Sequence, residues 1–150
     1  MHIYTNDGVI IANVMRQHLN TWPSRPVDFR LEDFGKKTPS LMIQQLAASE
    51  KERQYIDGSY IGVWNFAICL RIDAEDTRSR LDAVSCLQEL GEWLTAIDSS
   101  GDFVNFPEID VTRSVTSIEV NTTPSIMARY EDGTEDYQSI FTMKYKARRK

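Results

Sequence analysis

The run from Ile61 to Ile72 constrains this chain most. Trp64, Phe66, Ile68, Leu70 and Ile72 fall on one face of an extended strand, and Ile61, Val63, Ala67 and Cys69 fall on the other. Side chains alternate along a strand, so a run apolar on both faces belongs near the middle of a covered sheet. One face can be covered by the helices of this chain, and the second suggests a further layer such as a neighbouring subunit. Before the run, Asp57-Gly58 supplies a tight turn, because glycine accepts the positive φ that a Cβ resists. After it, Asp73-Ala-Glu-Asp-Thr-Arg-Ser-Arg-Leu-Asp-Ala83 is rich in cap and first-turn residues. A helix ending near Asp98 follows, with Leu81, Val84, Leu87, Leu90, Leu94 and Ile97 at steps of three and four.

The remaining elements are placed around this pair. A first helix is expected from about Asn6 to Thr21, capped by Asn6 or Asp7, with Ile10, Ile11, Val14, Met15, His18 and Leu19 on its apolar side. Trp22-Pro23 ends it, since the residue before proline is pushed out of the helical region. Residues 27–34 alternate as a half-exposed strand, Gly35 to Pro39 turn, and Ser40 to Leu46 form a second strand. The charged stretch Ala47 to Gln54 reads as a loop or short helical turn. Ser99 to Asp102 break the second helix. Strands at Ile109–Asn121, Ser125–Glu131 and Tyr137–Lys146 follow, with a hairpin turn at Asp132-Gly133. Tyr137, Phe141, Met143 and Tyr145 share one face of the last strand. The pattern predicts an α+β fold: two helices on a mixed, mostly antiparallel sheet in the order α-β-β-β-α-β-β-β. No linker or repeat divides residues 1–150, so one domain with a basic tail at about 146–150 is expected.

Composition removes several classes. No apolar stretch approaches the ~20 residues that span a bilayer, and the first residues show no basic segment followed by an apolar one, so no secretion signal is expected. The 17 basic and 22 acidic residues leave a formal charge of −5, which disfavours phosphate backbone as the general partner. Cys69 and Cys86 have no Cys-x-x-Cys spacing and no nearby histidine, which reads as two buried thiols without a metal.

Catalytic readings find little to stand on. No Gly-x-Ser-x-Gly or phosphate-binding glycine loop is present, and the histidines are only His2 and His18. His18 lies beside the apolar stripe, where a histidine at the edge of the core is the plainer reading. Asp73, Glu75 and Asp76 suit a helix start, and Glu131, Asp132, Glu135 and Asp136 bracket a turn. Neither group has the fixed spacing of a calcium loop. Tyr55, Tyr60, Trp64 and Phe66 could stack on bases, yet beside a turn they read more simply as core or subunit contact. No enzyme, cofactor or metal is expected.

The motifs Tyr-Ile-Asp-Gly-Ser at 55–59, Arg80-Leu-Asp-Ala83 and Leu90-Gly-Glu-Trp-Leu94, with the apolar strand between them, resemble the small minor capsid and tail-terminator proteins of long-tailed bacteriophages. The order of elements agrees over most of the chain. The resemblance implies a structural protein that forms a ring, commonly a hexamer, at the head–tail junction, and that caps the tail tube. It would be assembled in the bacterial cytoplasm and end in the virion. Its partners would be copies of itself, the tail tube protein and head–tail connector proteins. A ring requires a heterologous interface, and the exposed segments beside the sheet edges are the candidates: Arg30, the Glu50, Lys51, Glu52, Arg53, Tyr55 and Asp57 segment, and Glu131 with Asp132. Arg148, Arg149 and Lys150 are candidates for the channel, with DNA contact as their lesser use. A small α+β domain that binds a hydrophobic ligand is the alternative.

Overall fold

The structure, a computed structural model, describes residues 5–47, 49–96, 109–110 and 112–148. Helix α1 (Asp7–Leu19) is followed by strands β1 (Phe29–Leu31), β2 (Ser40–Gln45), β3 (Glu50–Gln54) and β4 (Tyr60–Asp73). Helix α2 (Thr77–Thr95) then leads to strands β5 (Arg113–Arg129) and β6 (Thr134–Ala147). The sheet runs β1-β2-β4-β6-β5, with β3 also paired to β4. Among the described strands, only β1 and β2 pair in parallel, so the fold is the expected α+β arrangement of two helices and a mostly antiparallel sheet.

The order differs from expectation in two places, giving α-β-β-β-β-α-β-β. The stretch expected as a loop at 47–54 contains β3. Its sequence, Glu-Lys-Glu-Arg-Gln, has no apolar alternation; it becomes a strand because the edge of β4 from Tyr60 to Val63 offers unpaired backbone groups. β2 occupies the neighbouring part of that edge, from Phe66 to Arg71. The two strands expected at 109–121 and 125–131 are one strand, β5. Pro124 does not end it, because β5 is an edge strand and absorbs irregularity through four shifts of register. Ile109 and Asp110 lie before it, their N–H groups donating to the Arg113 carbonyl at 2.9 and 3.2 Å. The expected helix end near Asp98 and break at 99–102 lie outside the described residues.

β4 is the centre, as its composition requires. Its whole length pairs with β6, from Tyr60 opposite Ala147 to Asp73 opposite Thr134. Trp64, Phe66, Ile68 and Leu70 are buried against the helices, together with Tyr137, Phe141, Met143 and Tyr145 of β6. Phe66 stacks on its cross-strand partner Phe141 at 5.1 Å between ring centroids. α1 contributes Ile11, Ala12, Met15 and Leu19, and α2 contributes Ala83, Leu87, Leu90 and Leu94. Leu81, expected on that stripe, is 63% exposed. The buried stripe starts from Ala83, about two residues and so roughly half a turn of helix away.

Among the described residues, no helix lies on the opposite face of β4. Ala67 and Cys69 are fully buried there beside Met42, and among the described residues Phe34 and Ile140 are the partly buried apolar side chains packed around them. The second apolar face is therefore small side chains sunk between larger neighbours. The helix starts also differ in detail. Asp76 caps α2 by accepting the Ser79 N–H at 2.9 Å. Asn6 precedes α1 without a side-chain cap bond. The Asp7 N–H reaches Thr5 Oγ1 instead, at 3.2 Å, and the Asp7 carboxylate is used elsewhere.

Candidate functional site

The β3–β4 hairpin gathers most of the expected contact residues. Glu50, Lys51, Glu52 and Arg53 lie on β3, and Tyr55 and Asp57 on the turn. The turn is closed by the Tyr55 N–H on the Ser59 carbonyl at 2.9 Å and the Gly58 N–H on the Tyr55 carbonyl at 3.0 Å. Asp57 accepts the N–H and hydroxyl of Ser59 at 2.9 and 2.6 Å, and these bonds hold its carboxyl below the usual range. Gly58 has φ 92°, which explains its place. At the tip, Ile56 has a relative exposure of 108%, touching almost nothing of its own chain.

Cations lie along this hairpin. Lys51 Nζ sits 4.6 Å from the Tyr60 ring and Lys146 Nζ 5.8 Å from the Tyr55 ring. Lys144 pairs with Glu52 at 3.0 Å. Because Ala147 pairs with Tyr60, the C-terminal end emerges beside the hairpin. Arg148 extends the ladder through its N–H to the Thr112 carbonyl at 2.7 Å, and its exposed side chain faces a depression of about 480 Å³ shared with Ile10, Tyr60, Asp110 and Arg113. Arg149 and Lys150 lie outside the described residues.

Beneath the hairpin is a buried polar cluster that sequence reasoning missed. Asp7, 5% exposed, accepts from the Tyr60 hydroxyl, from the Tyr145 hydroxyl at 2.8 Å and from Arg113 Nη2 at 2.8 Å. Tyr145 also meets Ser49 Oγ at 2.6 Å, and Arg113 Nη1 donates to Asp110 at 2.6 Å. Burial acts to raise the Asp7 pKa, but the bonds from Tyr60, Arg113 and Tyr145 outweigh it and hold the carboxyl below its ordinary value. Burial, then the bond to Asp7, pushes Tyr60 upward, and burial pushes Tyr145 up to about 12. Both phenols are thus fixed as donors. The cluster ties α1, β4, β5 and β6 together at this end of the sheet. No spacing rule links positions 7, 60, 113 and 145, so the sequence held no signal for it.

The other expected residues lie apart. Glu131 and Asp132 sit on the β5–β6 hairpin, at the opposite end of β4. That turn repeats the first: the Tyr130 N–H donates to the Thr134 carbonyl at 3.0 Å, and the Gly133 N–H to the Tyr130 carbonyl at 3.1 Å. Asp132 accepts the N–H and hydroxyl of Thr134 at 3.0 and 2.7 Å. Here the support is a set of ion pairs. Arg71 forks onto Asp136 at 2.7 and 2.9 Å, and Arg80 holds Glu135 at 3.1 Å. Arg30 is on neither hairpin; on the edge strand β1, it forks onto Asp33 at 3.1 Å.

A groove of about 400 Å³ runs along α2, floored by Leu70, Ile72, Ala83 and Cys86 and bordered by Asp82 and Glu89. Burial pushes the Cys86 thiol up to about 11, so it stays a weakly polar part of the floor. A second groove, of about 460 Å³, lies between α2 and β5 and includes Val84, Leu87, Gly91, Val120 and Pro124. Among the described residues, no three His, Cys, Asp or Glu side chains converge as metal ligands would, and no helix is long and apolar enough to cross a membrane. The sequence matches no protein-family model and no curated protein.

Proposed function

We propose that this chain is a structural virion protein, a phage minor capsid or tail-terminator subunit that forms a ring at the head–tail junction and caps the tail tube. It acts by binding and geometry, without turnover. The observation that carries the reading is the tip of the β3–β4 hairpin: a fully exposed isoleucine on a braced turn, with Lys146 at the adjoining Tyr55 ring and Lys51 and Arg53 on the strand that leads to it. Binding residues concentrate on loop tips held by a rigid scaffold, and Ile56 is the most exposed large apolar side chain among the described residues. The Tyr-Ile-Asp-Gly-Ser motif that carries the family resemblance is this same tip. The Lys144–Arg148 end emerges beside it, which suits a shared docking face for a tube or connector protein.

The test is the mass of the purified protein and electron microscopy of it mixed with tail tubes. A discrete ring, alone or seated on tube ends, is the expected result. A concentration-independent monomer that ignores tubes overturns the proposal. The groove between α2 and β5 favours a second reading, a binding domain for a small hydrophobic ligand. Saturable uptake of an apolar fluorophore by such a monomer would select it.

A further inference from the structure

We propose that Ile56 is a knob that seats in the α2 groove of a second copy of this chain, between Asp82 and Glu89. This rests on the assembly reading above and names both halves of its interface. The molecule carries its own control. Tyr55-Ile-Asp-Gly-Ser59 and Tyr130-Glu-Asp-Gly-Thr134 make the same turn with the same four hydrogen bonds. The second turn has Glu131 where the first has Ile56, so the turn itself does not need an apolar residue there. Ile56 stays in water at the tip with no folding reason, and burial in a partner is the term that removes the penalty.

Knob and groove are complementary in charge. The knob is apolar; Lys146 Nζ lies 5.8 Å from the adjoining Tyr55 ring, and Lys51 and Arg53 stand on the strand that leads to it, while of the nearby carboxylates Glu52 is paired with Lys144 and Asp57 is turned onto Ser59. The groove is apolar at its floor with Asp82 and Glu89 at its border. Opposite potentials of this kind fix register and suppress wrong partners. The α2–β5 groove carries one carboxylate, Glu92, and matches less well.

Knob and groove lie far apart within one molecule. The groove floor uses Leu70 and Ile72, ten or more residues along β4 from Tyr60. At about 3.3 Å per residue the knob lies roughly 30 Å from its own groove, so it can fill only that of another copy. Two different patches then meet head to tail, which closes into a ring or propagates as a filament. Strand addition is the competing route between sheets. The long edge β5 is poorly suited to it, since Pro124 and four register shifts interrupt its ladder.

The experiment measures mass by light scattering across a concentration series for the wild type, Ile56→Asp, Asp82→Lys/Glu89→Lys, and a mixture of the two variants. Melting temperatures control for folding, and all three substituted positions are exposed. Each variant should associate about 10- to 100-fold more weakly than the wild type. The mixture should give heterodimers and stop there, because it holds one intact knob and one intact groove. Restoring assembly to Asp82→Lys/Glu89→Lys by adding Lys51→Glu/Arg53→Glu would support the pairing further. Rings that survive Ile56→Asp overturn this inference and leave the assembly reading standing. Loss of assembly in Ile56→Asp but not in Asp82→Lys/Glu89→Lys overturns the choice of groove. A wild type that is monomeric at every concentration and on tail tubes overturns both.

Discussion

The two hairpins at opposite ends of β4 have the same turn and different foundations. Under the β3–β4 turn, Asp7 is enclosed by two phenols and a guanidinium drawn from three strands. Under the β5–β6 turn, the buried carboxylates Asp136 and Glu135 are held by arginines that remain partly in water, with Arg71 31% and Arg80 42% exposed. A carboxylate enclosed by protein donors depends on every one of them. One whose partners reach solvent can be rescued by water when a partner is lost. The first end should therefore be stiff and intolerant, and the second adaptable. A rigid base is what the proposed presentation of Ile56 to a second copy requires.

Replacing Asp7 probes that contrast most severely. Asp7→Ala leaves Arg113 with Asp110 as its one carboxylate partner and takes away the acceptor that the Tyr60 and Tyr145 hydroxyls share, and should destabilise the protein by about 3 kcal/mol, read by chemical denaturation. Gly62→Ala attacks the same end through space alone. Its Cβ would fall 2.6 Å from Cε1 of Tyr145, and Tyr145 is fully buried and tethered to Ser49 and Asp7. Overpacking of this kind should cost roughly 3 kcal/mol. If either variant melts like the wild type, the stiff end is not stiff and the contrast fails.

Much of this architecture was legible beforehand, and the reasons are local. The β4 run, the Tyr137-Phe141-Met143-Tyr145 face and both Asp-Gly turns follow from period and turn chemistry, which act within a few residues. β3 was not legible, because Glu50–Gln54 owes its strand form to the vacant edge of β4. Continuity of β5 through Pro124 was hidden for a similar reason: only its edge position makes the proline harmless. Of the contact residues, the hairpin group and the start of the basic tail came together, while Arg30 and the Glu131–Asp132 pair lie elsewhere. Asp7 reads as a helix-start residue in sequence and proves to be the centre of a cluster. Ile56 was visible as part of a motif, but its exposure and the redundancy of the two turns needed coordinates.

At the second end, Arg71→Ala should cost about 2 kcal/mol. Asp136 is buried, but it keeps the Tyr130 hydroxyl at 2.8 Å, and Arg71 is solvent-facing enough for water to replace part of it. A loss equal to that of Asp7→Ala would remove the distinction between the two ends. Acid separates contributions by pH. His18, stacked on Trp93 at 5.0 Å, has its pKa lowered by burial from 6.5 to about 4. The unfolded chain takes up that proton first as pH falls. Stability held above pH 6.5 should therefore drain between 6.5 and about 4, by about 1–2 kcal/mol after allowance for partial exposure. The Asp7 carboxyl is displaced below 3.8, so its contribution persists above that value and is lost only as pH falls further, through the folded pKa. His18→Phe should flatten the first phase and leave the second.

The smallest effects test the turns themselves. Asp57→Ala and Asp132→Ala each remove a carboxylate that accepts two bonds from the residue two positions on. Both carboxylates lie in water, so each change should lower the melting temperature by only a few degrees, and by the same amount for both. Equality is the informative result, because it establishes that the turns are mechanically interchangeable. Exchanging the tip residues follows from it: Ile56→Glu and Glu131→Ile should both leave the melting temperature within about a degree or two of the wild type, as exposed positions allow. An appreciable loss in Ile56→Glu alone would mean that the first hairpin uses its isoleucine for its own folding, and the contrast between a turn built to hold and a turn built to present would have to be abandoned.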